Sequence, residues 1–408
     1  MKKKKKVIII IIPIILIIGI IGYFIVKQMI WNYNVSHAEK IVELSSNKVE
    51  IYKENVKLAD LIRNINGKLD TNPEIKTDKL GEQTIKFKYT TDEGYPVKHQ
   101  VKIEVVDSTP PMISYAKTKS IYTDFDGNLA KEIFCGDIYD PNPKCTIEGE
   151  YNTSVAGTYE LKFIGEDSSG NIATNDFSLI VKERPKRTTG GGTYNEDYTD
   201  FNEIVSTYKI DDKTHIGIDI SHHQGNIDFQ AVKNAGVEFA YIRVGRGDGI
   251  GKDFVMDTKF TQNIKGFNEV GIPVGVYFYS NANSKETAKK EATWLLDQIK
   301  DYKVDLELVY DWENWDDFQE FGLSFYGLSD TYKEFSKTVT KKGYRSMLYS
   351  SKNYLENVWF KTEDAIWIAH YTNKTDYANT IYQVWQLCSD GRVSGIDGYV
   401  DLDIRYDK

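Results

Sequence analysis

The chain has 408 residues, of which 41% are hydrophobic and 27% are charged, so it is a folded protein too long for one ordinary core. Its formal charge is −9, and the chain that follows the five lysines at positions 2–6 carries −14. An acidic body without a long basic stripe argues against nucleic acid as the partner.

The N-terminal segment, residues 1–26, combines this lysine run with twenty uncharged residues from Val7 to Val26. A helix over the run spans about 30 Å, the thickness of a hydrocarbon core, and is predicted to cross the cell membrane once. The lysines predict a cytoplasmic N-terminus and an extracellular C-terminal part. A cleaved signal peptide is the alternative, but the run is long and Tyr23 to Lys27 offers no small-residue cleavage site.

A repeated pattern follows. Residues 80–107 align without a gap onto 156–183 at an offset of 76, and Gly94 meets Gly170. Each copy alternates apolar and polar residues, turns near the glycine and alternates again, which is the pattern of a β-hairpin.

We therefore predict a stalk at 27–41 and two all-β sandwiches at 42–107 and 108–183. The sandwiches resemble the immunoglobulin-like modules of bacterial surface proteins, and this resemblance implies a spacer role or an adhesive one. Within the second, Cys135 and Cys145 bracket a turn-rich stretch and form either a local disulfide or two free thiols.

Residues 184–213, which include three consecutive glycines, are expected to be a flexible linker. Residues 214–408 then alternate strands with helices and predict a TIM-like α/β barrel whose last strands lack helices. The predicted strands are 216–220, 237–244, 272–279, 306–310, 345–349, 365–369, 381–387 and 399–404. The predicted helices are 229–235, 259–270, 284–300 and 329–342.

Carboxylates stand where apolar runs of this barrel stop: Asp219, Asp311, Glu313 and Asp401. Active sites of such barrels lie at the carboxyl ends of the strands. Asp311 and Glu313 share a strand face, with Cα atoms about 6.6 Å apart. Two carboxylates at this range suit glycosidic bond cleavage, and the range permits either retention or inversion of the anomeric centre.

The region 214–408 resembles glycoside hydrolase family 25, the lysozymes of the bacterial and phage type. The matching motifs are His215–Asp228, Tyr241–Arg243, Gly275–Tyr279, Asp311–Glu313, Trp367–Tyr371, Trp385–Gln386 and Gly398–Leu402. The resemblance implies cleavage between N-acetylmuramic acid and N-acetylglucosamine without a cofactor or metal, with peptidoglycan strands as the partner.

By the same resemblance, Glu313 is the general acid and Asp311 the second carboxylate. Asp219 and Asp401 would tune these two and hold the sugar. The sequence departs from the family at Asp403, where asparagine is usual, and at His370, where glutamine is common. An additional acid raises the pKa of its neighbours, which leaves the pH optimum open.

Sugar-binding candidates are the side chains near the same strand ends, since sugars stack on aromatic rings. They are Tyr277, Tyr279, Trp367, Tyr371, Trp385 and Gln224. Packing is the alternative for each ring, and we expect it for Trp312 and Trp294.

Other functions also fit parts of the pattern. Asp219 with His222 and His223 allows a zinc site as in sugar deacetylases, although a polar loop explains the histidines better. A catalytically silent wall-binding or adhesive protein is a second alternative. A third is the wall-opening component of a secretion or conjugation apparatus, which is compatible with activity.

Overall fold

The computed structural model describes residues 2–184, 198–378 and 382–407. The chain divides into two compact units, Met1–Ser108 and Thr109–Lys408. The predicted glycine hinge at 190–192 lies outside the described residues.

The first helix, α1 (Lys2–His37), contains a segment, Ile15–His37, that is long and apolar enough to cross a membrane. The helix continues past Val26 into the predicted stalk because residues 27–37 contain no proline or glycine to end it. A membrane anchor and a signal sequence both fit this helix.

The rest of the first unit is β-rich and has its own core around Leu58, Tyr89 and Ile103. The elements are β1 (Val42–Leu44), β2 (Lys48–Glu50), α2 (Leu58–Leu61), β3 (Ile62–Ile65), β4 (Gly67–Leu69), β5 (Gly81–Thr91) and β6 (Pro96–Val106). The strands β2, β6, β5 and β4 form one sheet in that order, and β1 pairs with β3.

The second unit begins with another β-rich module, residues 109–184, called the docked module below. The elements are β7 (Met112–Ile113), β8 (Thr118–Tyr122), β9 (Cys135–Gly136), β10 (Lys144–Glu148), β11 (Gly157–Glu166) and β12 (Ile172–Lys182). The sheet order is β10-β11-β12-β8, and β7 pairs with β9. Cys135 and Cys145 form a disulfide in this module.

The predicted linker is too long at its C-terminal side. Residues after 198 form β13 (Thr199–Asp200) and α3 (Phe201–Tyr208). Asp200 caps this helix by accepting from the N–H of Asn202, and Phe201 and Ile204 are buried in the barrel core. Their burial attaches residues 199–208 to the barrel domain.

Eight strands then close a ring, with helices packed outside. The elements are β14 (Thr214–Ile220), α4 (Phe229–Ala235), β15 (Ala240–Gly247), β16 (Phe254–Met256), α5 (Phe260–Val270), β17 (Val274–Tyr279), α6 (Lys285–Ile299), β18 (Leu308–Asp311), α7 (Phe325–Thr340), β19 (Ser346–Ser351), α8 (Lys352–Asn357), β20 (Ala365–Ala369), β21 (Tyr382–Arg392) and β22 (Val400–Tyr406). All eight predicted barrel strands appear, together with a short side strand, β16, paired to β15.

The last strand differs from the TIM-like prediction. The strands from β14 through β21 are parallel around the ring, whereas β22 is antiparallel to both β21 and β14. No helix lies between β21 and β22 in the described chain, and a short connection without a crossover permits antiparallel pairing. The beginning of β22 therefore lies at the rim where the other strands end.

Candidate active site

Four carboxylates surround one pocket of about 390 Å³ at this rim. Asp219 lies near the end of β14, Asp311 ends β18, and Glu313 follows two residues later. Asp401 is the second residue of β22 and pairs in register with Asp219. The prediction that Asp401 follows an apolar run was wrong, because it reaches the rim from the start of an antiparallel strand.

The turn after β18 separates the environments of two acids. Asp311 is 4% exposed, whereas Glu313 is exposed at the pocket mouth. Between them, Trp312 is buried in the core, as expected, and its indole N–H donates to the carbonyl of Ala282 at 3.1 Å. Asn314 donates to another backbone carbonyl after β17 at 2.9 Å. These two bonds hold the turn that carries Glu313.

Asp311 and Glu313 are electrostatically coupled. Burial raises the pKa of Asp311 well above its ordinary value, and the negative charge of Glu313 raises it further. Partial burial also raises the pKa of Glu313, although part of its side chain stays in solvent. Such a pair retains one proton at a higher pH than an isolated carboxyl would. A general acid needs this retention.

A second acidic group lies beneath the pocket. Asp403 is fully buried, and the indole N–H of Trp367 donates to its Oδ1 at 2.8 Å. Burial raises the pKa of Asp219 well above its ordinary value, and the charges of Asp401 and Asp403 raise it further. Burial raises the pKa of Asp401 to about 6. Asp403, the predicted departure from the family, therefore helps to raise the pKa of Asp219.

Gln386 links one of the acids to two tyrosines, and it was missed as a site residue. Its Nε2 donates to Asp219 Oδ2 at 2.8 Å. Its Oε1 accepts from the hydroxyls of Tyr349 at 3.0 Å and Tyr371 at 3.1 Å. One amide thus orients a carboxylate and two tyrosines, and its position near the end of a predicted strand was the available signal.

The predicted tyrosines line the pocket. Tyr277 and Tyr279 lie on β17, and Tyr371 is 58% exposed beside the opening. Burial raises the pKa of all three phenols, so they are neutral hydroxyls at physiological pH. Exposed faces on Tyr279 and Tyr371 are available for contact with a sugar.

The two predicted tryptophans have other positions. Trp367 borders the pocket but is 2% exposed, packed against Tyr241 with ring centroids 4.7 Å apart. Trp385 is 3% exposed and does not line the pocket. Its neighbour Gln386 faces the acids, so alternation along β21 turns Trp385 outward against Tyr208 of α3. Burial leaves neither ring an exposed face for stacking on a sugar, and the substrate-binding role of both residues stays a prediction.

Gln224 borders the pocket with its amide already bonded. Its Oε1 accepts from the N–H of Ser221 at 2.9 Å, and its Nε2 donates to the carbonyl of Tyr399 at 3.2 Å. It therefore holds the loop after β14. The pocket also includes side chains that were not predicted to line it: His223, Arg243, Tyr349, Ser389 and Tyr399.

His222 is held in an ion-paired group beside the pocket. Its Nδ1 lies 3.2 Å from Asp257 Oδ2, and Arg243 contacts both side chains. The positive guanidinium opposes a dication at this position. A zinc site with Asp219 would need the imidazoles of His222 and His223, and the imidazole of His222 already contacts Asp257 and Arg243.

Residues 218–396 match the family described as Glycosyl hydrolases family 25. The autolytic lysozyme of Clostridium acetobutylicum is 31% identical over 193 residues, covering 46% of this chain and 54% of that protein. Lysozyme M1 of Streptomyces globisporus is 26% identical over 206 residues, covering 45% of this chain and 65% of that protein. The chain thus spans less than two thirds of the length of either relative.

Among solved structures, a family 25 glycosyl hydrolase from Bacillus anthracis is 21% identical, with a TM-score of 0.42. The alignment covers 53% of this chain and 96% of that one. The sequence matches fall in the half of the chain where the four carboxylates meet, and they support a glycoside hydrolase enzyme related to lysozymes.

Proposed function

We propose that this chain hydrolyses the β-1,4 bond between N-acetylmuramic acid and N-acetylglucosamine in peptidoglycan. The observation that carries the proposal is the meeting of Asp219, Asp311, Glu313 and Asp401 around one pocket. The similarity of the barrel to two curated lysozymes supports the same chemistry.

Glu313 is the proposed general acid, because it is the most exposed of the four carboxyls around the pocket. It donates its proton to the leaving glycosidic oxygen as the bond to the sugar carbon breaks. The bound glycan displaces water from the exposed side of Glu313, which raises its pKa further and favours the proton there rather than on Asp311.

Asp311 is the proposed second carboxylate. Once the shared proton is on Glu313, the negative charge on Asp311 stabilises the positive charge that develops at the sugar carbon. It acts either directly on that carbon or through the acetamido group of the substrate. Asp219, oriented by Gln386, and Asp401 tune the pair and hold the sugar, and Tyr279 and Tyr371 offer stacking faces.

We further propose that α1 anchors the enzyme in the cell membrane with its N-terminus in the cytoplasm. The lysine run before the apolar segment supports this orientation, and the length of α1 supports a span. The β-rich module at 42–107 then acts as an immunoglobulin-like spacer. The protein should stay in the membrane fraction after a carbonate wash, and its N-terminus should be intact. A protein whose N-terminal segment has been cleaved off would indicate a signal peptide instead.

The test of the catalytic proposal is Glu313→Gln in the full chain, purified in detergent and assayed on purified wall. Release of new reducing ends should fall at least about 100-fold while thermal unfolding stays unchanged, because the amide cannot donate the proton. Glu269→Gln, at an exposed position on α5, is the matched control.

Two outcomes would contradict the proposal. A parent that binds wall without releasing reducing ends is a silent wall-binding protein. Release of acetate, lost with chelator and restored by zinc, would favour the deacetylase alternative with Asp219, His222 and His223.

A further inference from the structure

The docked module contributes a side chain to the core of the barrel. Phe134, just before β9, is 9% exposed and belongs to the barrel cluster rather than to the core of its own module. Its ring lies 5.5 Å from that of Phe318 and 5.6 Å from that of Tyr354, measured between centroids. Gly136, two residues further on, leaves no room for a Cβ, because one would lie 2.7 Å from a ring atom of Phe318. The contact is close-packed.

Hydrogen bonds fix the same contact. The backbone N–H of Phe325, at the start of α7, donates to the carbonyl of Asp137 at 2.8 Å. Gln319 donates from Nε2 to the carbonyls of Ala130 at 3.2 Å and Ile133 at 3.1 Å. These bonds join the docked module to the segment 312–325, which follows β18 and carries Glu313.

The contact continues inward to the proposed acid. The ring of Trp315 lies 6.3 Å from that of Phe134 and 4.9 Å from that of Trp312. The backbone N–H of Trp315 donates to the carbonyl of Glu313 at 2.8 Å. Phe134 thus covers the aromatic layer on which the Glu313 turn rests.

The loop that presents Phe134 is itself held from the other side. Cys135 is fully buried, bonded to Cys145 and packed in the core of the docked module with Ile133. Asp137 Oδ1 accepts from the backbone N–H groups of Tyr139 at 2.8 Å and Asp140 at 2.7 Å. A loop so constrained presents Phe134 in one position.

We propose that Phe134 is a positioning residue for Glu313, and that the docked module is therefore required for full catalytic activity. The inference rests on the proposed function. Phe134 acts through Trp315 and the turn after β18, and it fixes the direction from which the acid meets the glycosidic oxygen. Small displacements of a reacting group lower the rate of the chemical step without weakening binding elsewhere.

The test compares Phe134→Ala with Phe125→Ala in the detergent-solubilised full chain. Phe125 is partly buried against the core of its own module and is the matched control. Phe134→Ala should lower kcat about tenfold on soluble glycan with KM within about twofold, because positioning and not binding is lost. Phe134→Leu, which keeps apolar volume, should restore kcat to within about threefold of the parent.

Gln319→Ala is a milder variant in case Phe134→Ala does not fold. It removes two hydrogen bonds and leaves the apolar contact, and about a threefold loss of kcat is expected. Unchanged kcat in both variants, or equal losses in Phe134→Ala and Phe125→Ala, would overturn the inference.

Hydrogen exchange separates this inference from the proposed function. Amides of residues 312–326 should exchange faster in Phe134→Ala than in Phe125→Ala, whether or not the parent is active. If the parent is inactive but its amides exchange faster in Phe134→Ala than in Phe125→Ala, the proposed hydrolytic function is refuted and the structural role of Phe134 is supported. An active parent whose amides exchange equally in both variants refutes the positioning role.

Discussion

The chain contains the same hairpin twice and uses it in two different units. In both copies the strands pair in the same register, Gly81 with Val105 and Gly157 with Val181, and the turn glycine has a φ of 87°. The segments before the hairpins differ. In the first module that segment sends Leu58 into the module's own core. In the second it carries a disulfide and sends Phe134 into the barrel. A shared hairpin therefore does not imply a shared role, because the preceding segment determines what each module contacts.

The largest expected effect comes from deleting each module in turn. Removal of residues 109–183 should lower hydrolysis of soluble glycan by more than about 100-fold, since it uncovers the aromatic layer beneath Glu313 and removes its constraints. Removal of residues 42–107, from the other compact unit, should leave that rate unchanged. The check is the rate at which each purified deletion protein hydrolyses soluble glycan. Equal losses of rate would contradict the prediction that only the docked module supports catalysis.

A smaller effect is expected from truncating corresponding core residues. Phe87 and Phe163 lie 76 positions apart and are both buried in their modules. Each change to alanine should cost about 3–5 kcal/mol of local unfolding free energy. Only Phe163→Ala should lower the temperature at which hydrolysis is lost, because its module unfolds with the barrel. Calorimetry measures the loss of stability, and thermal inactivation measures the temperature at which hydrolysis is lost. If Phe87→Ala lost activity at the same lowered temperature as Phe163→Ala, the first module would not unfold independently of the barrel.

The smallest effect concerns pH and sharpens the same comparison. Burial raises the pKa of Glu291 on α6 to about 8, whereas an unfolded glutamate titrates near about 4.3. The folded barrel therefore binds more protons than the unfolded chain, and its unfolding free energy falls as pH rises from about 4 to 8. Glu291→Gln should make this decline less steep, because the buried active-site carboxyls with raised pKa values still contribute to it, and Glu269→Gln should leave it unchanged.

Calorimetry at several pH values checks the result. The decline should appear in the transition that Phe163→Ala shifts, because the docked module and the barrel unfold together. A decline that Glu291→Gln leaves as steep as in the parent would assign the pH dependence to other groups.

Much of the fold could be predicted because its signals are local. All eight barrel strands and the helices α4, α5 and α6 lie within a few residues of their predicted ranges, since alternating and helical periods are set by near neighbours. Asp219, Asp311 and Glu313 at the rim follow from the same reasoning, because parallel strands end at a common edge, whereas Asp401 reaches the rim on an antiparallel strand. The turn glycines likewise predicted both hairpins.

The rest depended on contacts between distant parts of the chain. Trp385 and Gln386 are adjacent, and which of them faces the pocket depends on the phase of β21, which has irregular pairing with β22 after Gln386. Phe134 packs against Trp315 and Phe318, which lie more than 180 positions later in the chain, and no local pattern marks it. Residues 199–208 form too short an element to distinguish from a linker before Phe201 and Ile204 are seen buried.

The antiparallel closing strand has a consequence for biosynthesis. β22 both completes the ring and supplies Asp401, so a nascent chain that ends before residue 400 has neither a closed barrel nor its four carboxylates. If α1 enters the membrane first, the barrel crosses after both β-rich modules, and hydrolytic capacity appears only when translation and export have passed this strand. Premature termination or stalled export would then leave an inert tether rather than a partly active lytic enzyme.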